Sequence, residues 1–224
     1  SPHELFQAVN KMPSLLELHL PWCNLATLPP SSPFLNITSL SVLDLSLNYF
    51  HSSIPSWLFN MSTLTKLYLS SSSLKGPISS MLRRWNLCKI QHLDLSSNDL
   101  IVDITEMIEA LSCSNQSLEH LDLSDNQLTG KLPHSLGQFI SLYDLDLSIY
   151  SENSHTGVSG PIPTSIGNLS NLGSLYLDNN MMNGTIPESI GKLTNLYSLD
   201  LLDNYWEAVK LAQHFLTGLD TKIP

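Results

Sequence analysis

Two His-x-Asp triplets stand 28 residues apart, His92-Leu93-Asp94 and His120-Leu121-Asp122. Imidazole nitrogens and carboxylate oxygens together suit a divalent transition-metal ion. Laid side by side, the two triplets offer one ion two histidines and two carboxylates. A longer column of aspartates, Asp44, Asp94, Asp122, Asp146 and Asp200, continues the same position. Paired carboxylates about 5–5.5 Å apart serve retaining glycosidases, and pairs about 6.5–9.5 Å apart serve inverting ones. An aspartate repeated on neighbouring strands meets the first spacing by construction, so the coincidence carries little weight. Hydrolysis also needs a desolvated acid and an enclosed site. The sequence has no Ser-His-Asp order, no phosphate loop and no His-Glu-x-x-His. These residues therefore read as a solvated surface, with no enzymatic activity, no cofactor and no metal expected.

Composition narrows the classes of partner. The chain has 224 residues, 42% of them hydrophobic and 13% charged, with 10 basic against 20 acidic side chains and a net charge of −10. That length buries a sizeable core. The acidic balance excludes a nucleic-acid binder, which needs a basic face to displace counterions. It also disfavours docking on an anionic membrane. No apolar run approaches the ~20 residues that span a bilayer, so no membrane segment is expected within this chain.

The elements that hold the aspartates are set by an internal repeat. Leu-x-Leu recurs with first members Leu18, Leu43, Leu67, Leu93, Leu121, Leu145, Leu175 and Leu199, at spacings of 25, 24, 26, 28, 24, 30 and 24 residues. The longer frame L-x-x-L-x-L-x-x-N-x-L is clear at Leu118, Leu121, Leu123, Asn126 and Leu128. Alternation in and out makes each unit a short strand with leucine on its buried face. One strand cannot bury those leucines alone, so copies stack into a parallel sheet, ~4.8 Å apart. This is the leucine-rich-repeat pattern. The expected fold is an α/β solenoid of about eight repeats, with a curved parallel sheet on its concave face and short 3-10 or helical turns on its convex side. The Asn after each strand (Asn48, Asn98, Asn126, Asn180, Asn204) can bond main-chain groups of neighbouring turns. Cys23 and Ser72 stand in this slot in the first and third repeats. Cys23 is expected to be a buried single thiol there, and Ser72 a weaker substitute.

Most repeats continue as x-G-x-I-P, as in Gly160-Pro161-Ile162-Pro163 and Gly184-Thr185-Ile186-Pro187. L-x-G-x-I-P-x-x-L/I-G-x-L at this period resembles the plant extracellular leucine-rich repeat. That repeat is shared by receptor-like kinases, receptor-like proteins and polygalacturonase-inhibiting proteins. The stretch from Pro13 to Glu207 looks most like the ectodomain of a plant receptor-like protein of the kind that senses fungal xylanase and other elicitors. Asn183 to Gly191 and Asn204-Tyr205-Trp206-Glu207 carry the likeness. Three places depart from it. Gly76-Pro77-Ile78 replaces G-x-I-P, Val102-Asp103-Ile104-Thr105 has neither Gly nor Pro, and an insert around Ser151 to Gly157 removes the sixth ladder Asn. The insert is expected to be an exposed loop at the concave rim.

The family's cysteine-bearing caps, transmembrane segment and cytoplasmic tail are absent, so the chain looks like part of a larger ectodomain. One domain is expected over 1–224. A capping helix over 1–12 starts at Ser1-Pro2-His3-Glu4, with Leu5, Val9 and Met12 on one face. The repeats run over 13–206. A second capping helix and tail over 207–224 carry Ala208, Leu211, Ala212, Phe215 and Leu219, with Gly218 as C-cap. Cys88 and Cys113 both lie on stretches leading into adjacent strands, so a Cys88–Cys113 disulfide is reachable and would clip the irregular fourth repeat. N-x-S/T acceptors at Asn36, Asn60, Asn115, Asn168 and Asn183, with that disulfide, argue for a secreted glycoprotein.

Function is expected on the concave face. His19, Trp22, Lys66, Tyr68, His92, His120, Tyr143 and Tyr176 depart from the leucine-rich consensus there, and Asp94, Asp122 and Asp146 form its acidic middle column. Exposed aromatics and histidines on a rigid sheet anchor protein partners. The expected activity is recognition of a peptide or protein elicitor in plant defence or signalling. The alternative is inhibition of a microbial cell-wall hydrolase such as polygalacturonase. A co-receptor, or a second copy meeting the open solenoid ends, would be a further partner.

Overall fold

The computed structural model describes residues 2–31, 37–82, 85–150 and 156–207. The first leucine of every Leu-x-Leu unit is the middle residue of a three-residue strand, and the eight strands pair in parallel in chain order. The register never slips: Leu18 stands beside Leu43, Leu67 beside Leu93, and Leu175 beside Leu199. A slip of one residue would turn every leucine to solvent. The leucines of the inner strands are fully buried in one continuous core. On one flank, short strands add two three-stranded parallel sheets, Lys75–Pro77 with Asp99–Asp103 and Gln127–Thr129, and Ser159–Gly160 with Met181–Gly184 and Tyr205–Trp206. The convex side carries the 3-10 turns Leu58–Asn60, His134–Gln138, Thr164–Asn168 and Glu188–Lys192.

Seven of the eight strands lead into a turn through a left-handed residue, the exception being Asp144–Asp146. Trp22, Leu47, Ser71, Ser97, Asp125, Asn179 and Asp203 all have φ between 49° and 57°, and each immediately precedes its ladder position. This turn swings the next side chain inward. The amide of Asn126 then donates to the carbonyls of Leu95, Leu123 and Ser124, and its Oδ1 accepts from Leu100 N. Asn48, Asn98, Asn180 and Asn204 repeat the scheme. Ser72 is fully buried and its hydroxyl donates to Leu45 O at 3.0 Å, so it covers one carbonyl of the previous repeat.

The repeat without Gly or Pro goes a different way. Asp103 caps a regular helix, Ile104–Ala110, its carboxylate accepting from Thr105 N and Glu106 N. With no proline to stop it, the chain continues as helix and buries Ile104, Met107 and Ile108. Cys88 and Cys113 are joined by a disulfide with their Cα atoms 4.9 Å apart.

Two expectations are corrected. Cys23 is exposed, not buried: no described strand precedes the first repeat to wall its slot, and Sγ reaches only Pro21 O at 3.5 Å. The N-terminal helix is Pro2–Val9, with Phe6 and Val9 packed into the core. It ends too soon to carry Met12, which is 51% exposed. The expected helical pattern from Ala208 onward and the inserted segment 151–155 lie outside the described residues, as does Ser1.

Candidate functional site on the concave sheet

In-register pairing converts sequence columns into rows of neighbours. One row runs Lys66, His92, His120, Asp144, Ser174 and Ser198. The next runs Tyr68, Asp94, Asp122, Asp146, Tyr176 and Asp200. Together they surround a shallow hollow of about 370 Å³, in which Tyr68, His92, Asp94, His120, Asp122, Asp146 and Tyr176 meet Asp144, Ser174 and Tyr197. Lys66 stands in register just outside it. His19 and Trp22 do not join it. His19 pairs with Glu17 and Asp44 near the first strand, and Trp22 stands 70% exposed in the first turn.

The rings form one run. Tyr68 and His92 have centroids 6.5 Å apart, and His92 stacks on His120 at 4.2 Å. His120 and Tyr143 are 5.7 Å apart, and Tyr143 and Tyr197 are 6.2 Å apart. Tyr197 is 68% exposed. It lines the hollow although the reading of the two rows flanking each leucine does not include it. Gly173 explains the contact. It sits between the two tyrosines in the sheet, and a Cβ there would stand 2.7 Å from the Tyr197 ring and 3.0 Å from the Tyr143 ring. The absent side chain lets two rings, two strands apart, lean together. The column Tyr143, Gly173, Tyr197 was the available signal.

The aspartates have a structural job as well. Asp94, Asp122 and Asp146 each accept, through Oδ1, the hydroxyl and the N–H of the serine two residues on, with every Oγ–Oδ1 distance 2.6 Å. Asp44 does the same with Ser46. Burial pushes Asp122 up to about 6, helped by the charges of Asp146 and Asp94 and opposed by the Ser124 bonds. Burial likewise raises Asp146, with Asp178 and Asp144 adding repulsion. His92 is lowered by burial, by His120 and by Lys66, so it favours the neutral imidazole.

The Asp122 shift has a testable consequence. Above pH 6 the folded protein holds a carboxylate that the unfolded chain solvates better. As pH falls through 6 toward 4, only the folded state gains the proton, and this cost disappears. Asp122→Asn keeps an oxygen for Ser124 without the charge. It should stabilise the protein at pH 7.5 by about 1–2 kcal/mol, and most of that gain should vanish by pH 4. Urea unfolding of both proteins at the two pH values, in a chelating buffer, measures the difference. An equal gain at both pH values would contradict the assignment.

Of the glycan acceptors, Asn60 and Asn168 end convex 3-10 turns and are exposed. Asn183 is exposed in a flank strand, and Asn115 is half-buried after the turn Leu111–Ser114. None of the four lines the hollow. Asn36 lies outside the described residues.

A stacked parallel sheet with an asparagine ladder and a side-chain-lined concave face defines a leucine-rich-repeat solenoid. Independent comparison agrees: the Leucine Rich Repeat family model matches residues 39–61, 117–139 and 171–193. Receptor-like protein EIX1 of Solanum lycopersicum is 35% identical over 172 residues, covering 63% of this chain and 16% of the relative. The Arabidopsis receptor kinase HAESA, solved with the peptide hormone IDA and the co-receptor SERK1, superposes with a TM-score of 0.74 at 31% identity, over 89% of this chain and 31% of that one. The plant peptide hormone receptor RGFR1, solved with RGF2, gives 0.71 at 29% identity, over 89% and 30% of the two chains. The chain is a leucine-rich-repeat protein, similar to plant receptor-like proteins and to the ectodomains of plant receptor kinases. It spans about a sixth of the length of the receptor-like proteins it matches. Among the described residues no helix is long and apolar enough to cross a membrane.

Proposed function

We propose that this chain is an extracellular recognition module that binds a peptide or protein elicitor across its concave face. The observation that carries the reading is the unbroken run of five rings, Tyr68, His92, His120, Tyr143 and Tyr197, on a sheet whose register is fixed throughout. Flat aromatic and imidazole surfaces lose little entropy on contact and make strong anchors. The aspartates beneath them favour a partner with basic or hydroxyl groups. The peptide complexes of HAESA and RGFR1 support a peptide as the class of partner. The disulfide and the exposed acceptor asparagines support secretion and glycosylation. A co-receptor, or a second copy at an open end, would complete a signalling assembly. Nothing in this reading calls for catalysis by the chain itself.

The test is surface-immobilised, glycosylated protein titrated with fungal xylanase, fungal polygalacturonase and a random peptide library, with hydrolase activity followed in parallel. Saturable binding that falls at least about 30-fold in Tyr143→Ala/Tyr197→Ala is expected, the scale of two anchor residues. Binding that ignores the double substitution, or no binding to any probe, would overturn the reading. Binding that also stops a hydrolase would convert it into inhibition.

A further inference from the structure

The centre of the concave face holds an arrangement that partner recognition does not require. His92 and His120 face each other in register on adjacent strands. Glu119 reaches back from the second strand, so that its Oε2 lies 3.6 Å from His92 Nε2. One nitrogen from each ring and one Glu119 oxygen all lie within 4.8 Å of one another. The carboxylates of the two His-x-Asp triplets, Asp94 and Asp122, are not in this group; their Oδ1 atoms bond Ser96 and Ser124. Asp144 takes a different part. Its Oδ2 is 2.6 Å from His120 Nδ1. That contact keeps the proton on Nδ1 and leaves the Nε2 lone pair free, as a carboxylate does behind a metal-bound histidine.

We propose that His92, Glu119 and His120 form a binding site for a divalent transition-metal ion of the zinc class, with Asp144 as the positioning residue for His120. Such an ion takes imidazole nitrogen and carboxylate oxygen at about 2.0–2.2 Å, which places neighbouring donors ~3.4 Å apart. The three donors must close by roughly an ångström to reach that spacing. Both histidines and Glu119 are partly solvent-exposed, so rotation about their side-chain bonds supplies the movement. Two nitrogens with one oxygen suit zinc, copper or nickel and not the oxygen-loving calcium and magnesium. Lys66, in register on the other side of His92, opposes the cation. Glu119 and Asp144 flank the histidines from the remaining sides and outweigh it. Three protein donors leave one position open to water or to a donor from a bound partner. The site does not depend on the recognition reading and can hold whether or not that reading does.

Cobalt(II) is the probe, because tetrahedral coordination gives it intense visible absorption. The purified full chain should bind one cobalt ion, displaced by zinc, with a zinc dissociation constant on the order of 10 µM by calorimetry. His92→Ala, His120→Ala and Glu119→Gln should each weaken binding at least about tenfold, and Asp144→Asn about tenfold with unchanged stoichiometry. His19→Ala and His51→Ala should bind as the parent does. Binding that survives in His92→Ala/His120→Ala, or a parent protein without saturable binding below ~100 µM, would overturn the site. Near-ultraviolet circular dichroism checks folding. If the double variant is unfolded, Glu119→Gln decides alone: it keeps the shape of a partly exposed side chain, and unchanged affinity would overturn the assignment.

Discussion

Asn126→Ala should lower unfolding stability by about 3–5 kcal/mol. The side chain is 5% exposed and serves four backbone groups at once. Leu95 O follows the previous strand, Leu123 O and Ser124 O belong to its own turn, and Leu100 N to the previous flank strand. Alanine leaves these groups inside a core too tight for water. Each buried group without a partner costs about 1–3 kcal/mol, and partial relaxation keeps the total below the simple sum. Asn126→Ser should recover roughly half of the loss, since Ser72 shows that one hydroxyl in this slot can hold a neighbouring carbonyl. Because repeats interact mainly with their neighbours, the damage should also weaken coupling across the fifth repeat, and the urea transition should broaden. A loss under about 1 kcal/mol with an unchanged slope would mean that water enters the slot and replaces the amide.

That ladder was legible in the sequence, and the reason is physical. Period, strand face and turn all follow from local spacing, so Leu-x-Leu and the trailing Asn fix register without knowledge of any distant residue. The Cys88–Cys113 pairing was legible on the same grounds, since both precede in-register strands by a few residues. Lateral contacts between side chains were harder to read. Tyr197 meets Tyr143 only because Gly173 stands between them, and a column-by-column reading does not ask what the intervening residue leaves open. The two histidines were legible as neighbours because their strands pair in register, but the carboxylates that approach them were not. Asp94 and Asp122 share the histidines' strands yet turn to their own serines, while Glu119 and Asp144 approach from the side. Asp103 was seen as a missing Gly-Pro and not as a helix cap, because what ends a turn also decides what can replace it. Cys23 matched the ladder by position, but position in a repeat implies burial only when a neighbour stacks on both sides.

Removing the disulfide should matter nearly as much as breaking the ladder, and should act on the site as well as on stability. The bond closes 25 residues of chain. On the chain-entropy account, losing that closure destabilises the folded protein by about 3.5 kcal/mol. The geometry says where the loss will appear first. Cys88 precedes the strand of His92 by a short turn, and Cys113 ends near the start of the strand of His120. Between them lies the repeat that continues into the seven-residue helix Ile104–Ala110 in place of a Gly-Pro-stopped turn. The bond therefore clips this irregular repeat and holds the two histidine strands at their shared end. Cys88→Ala/Cys113→Ala should lower the urea midpoint and raise amide exchange first in Ile104–Ala110, with the strands from His120 to Asp200 keeping their protection longer. The His92–His120 stacking should loosen with it, so cobalt affinity should fall even though no ligand atom has been changed. Equal protection loss across all repeats would mean the bond acts only through the unfolded chain. Unchanged cobalt affinity beside a lower midpoint would show that parallel pairing alone sets the histidine row.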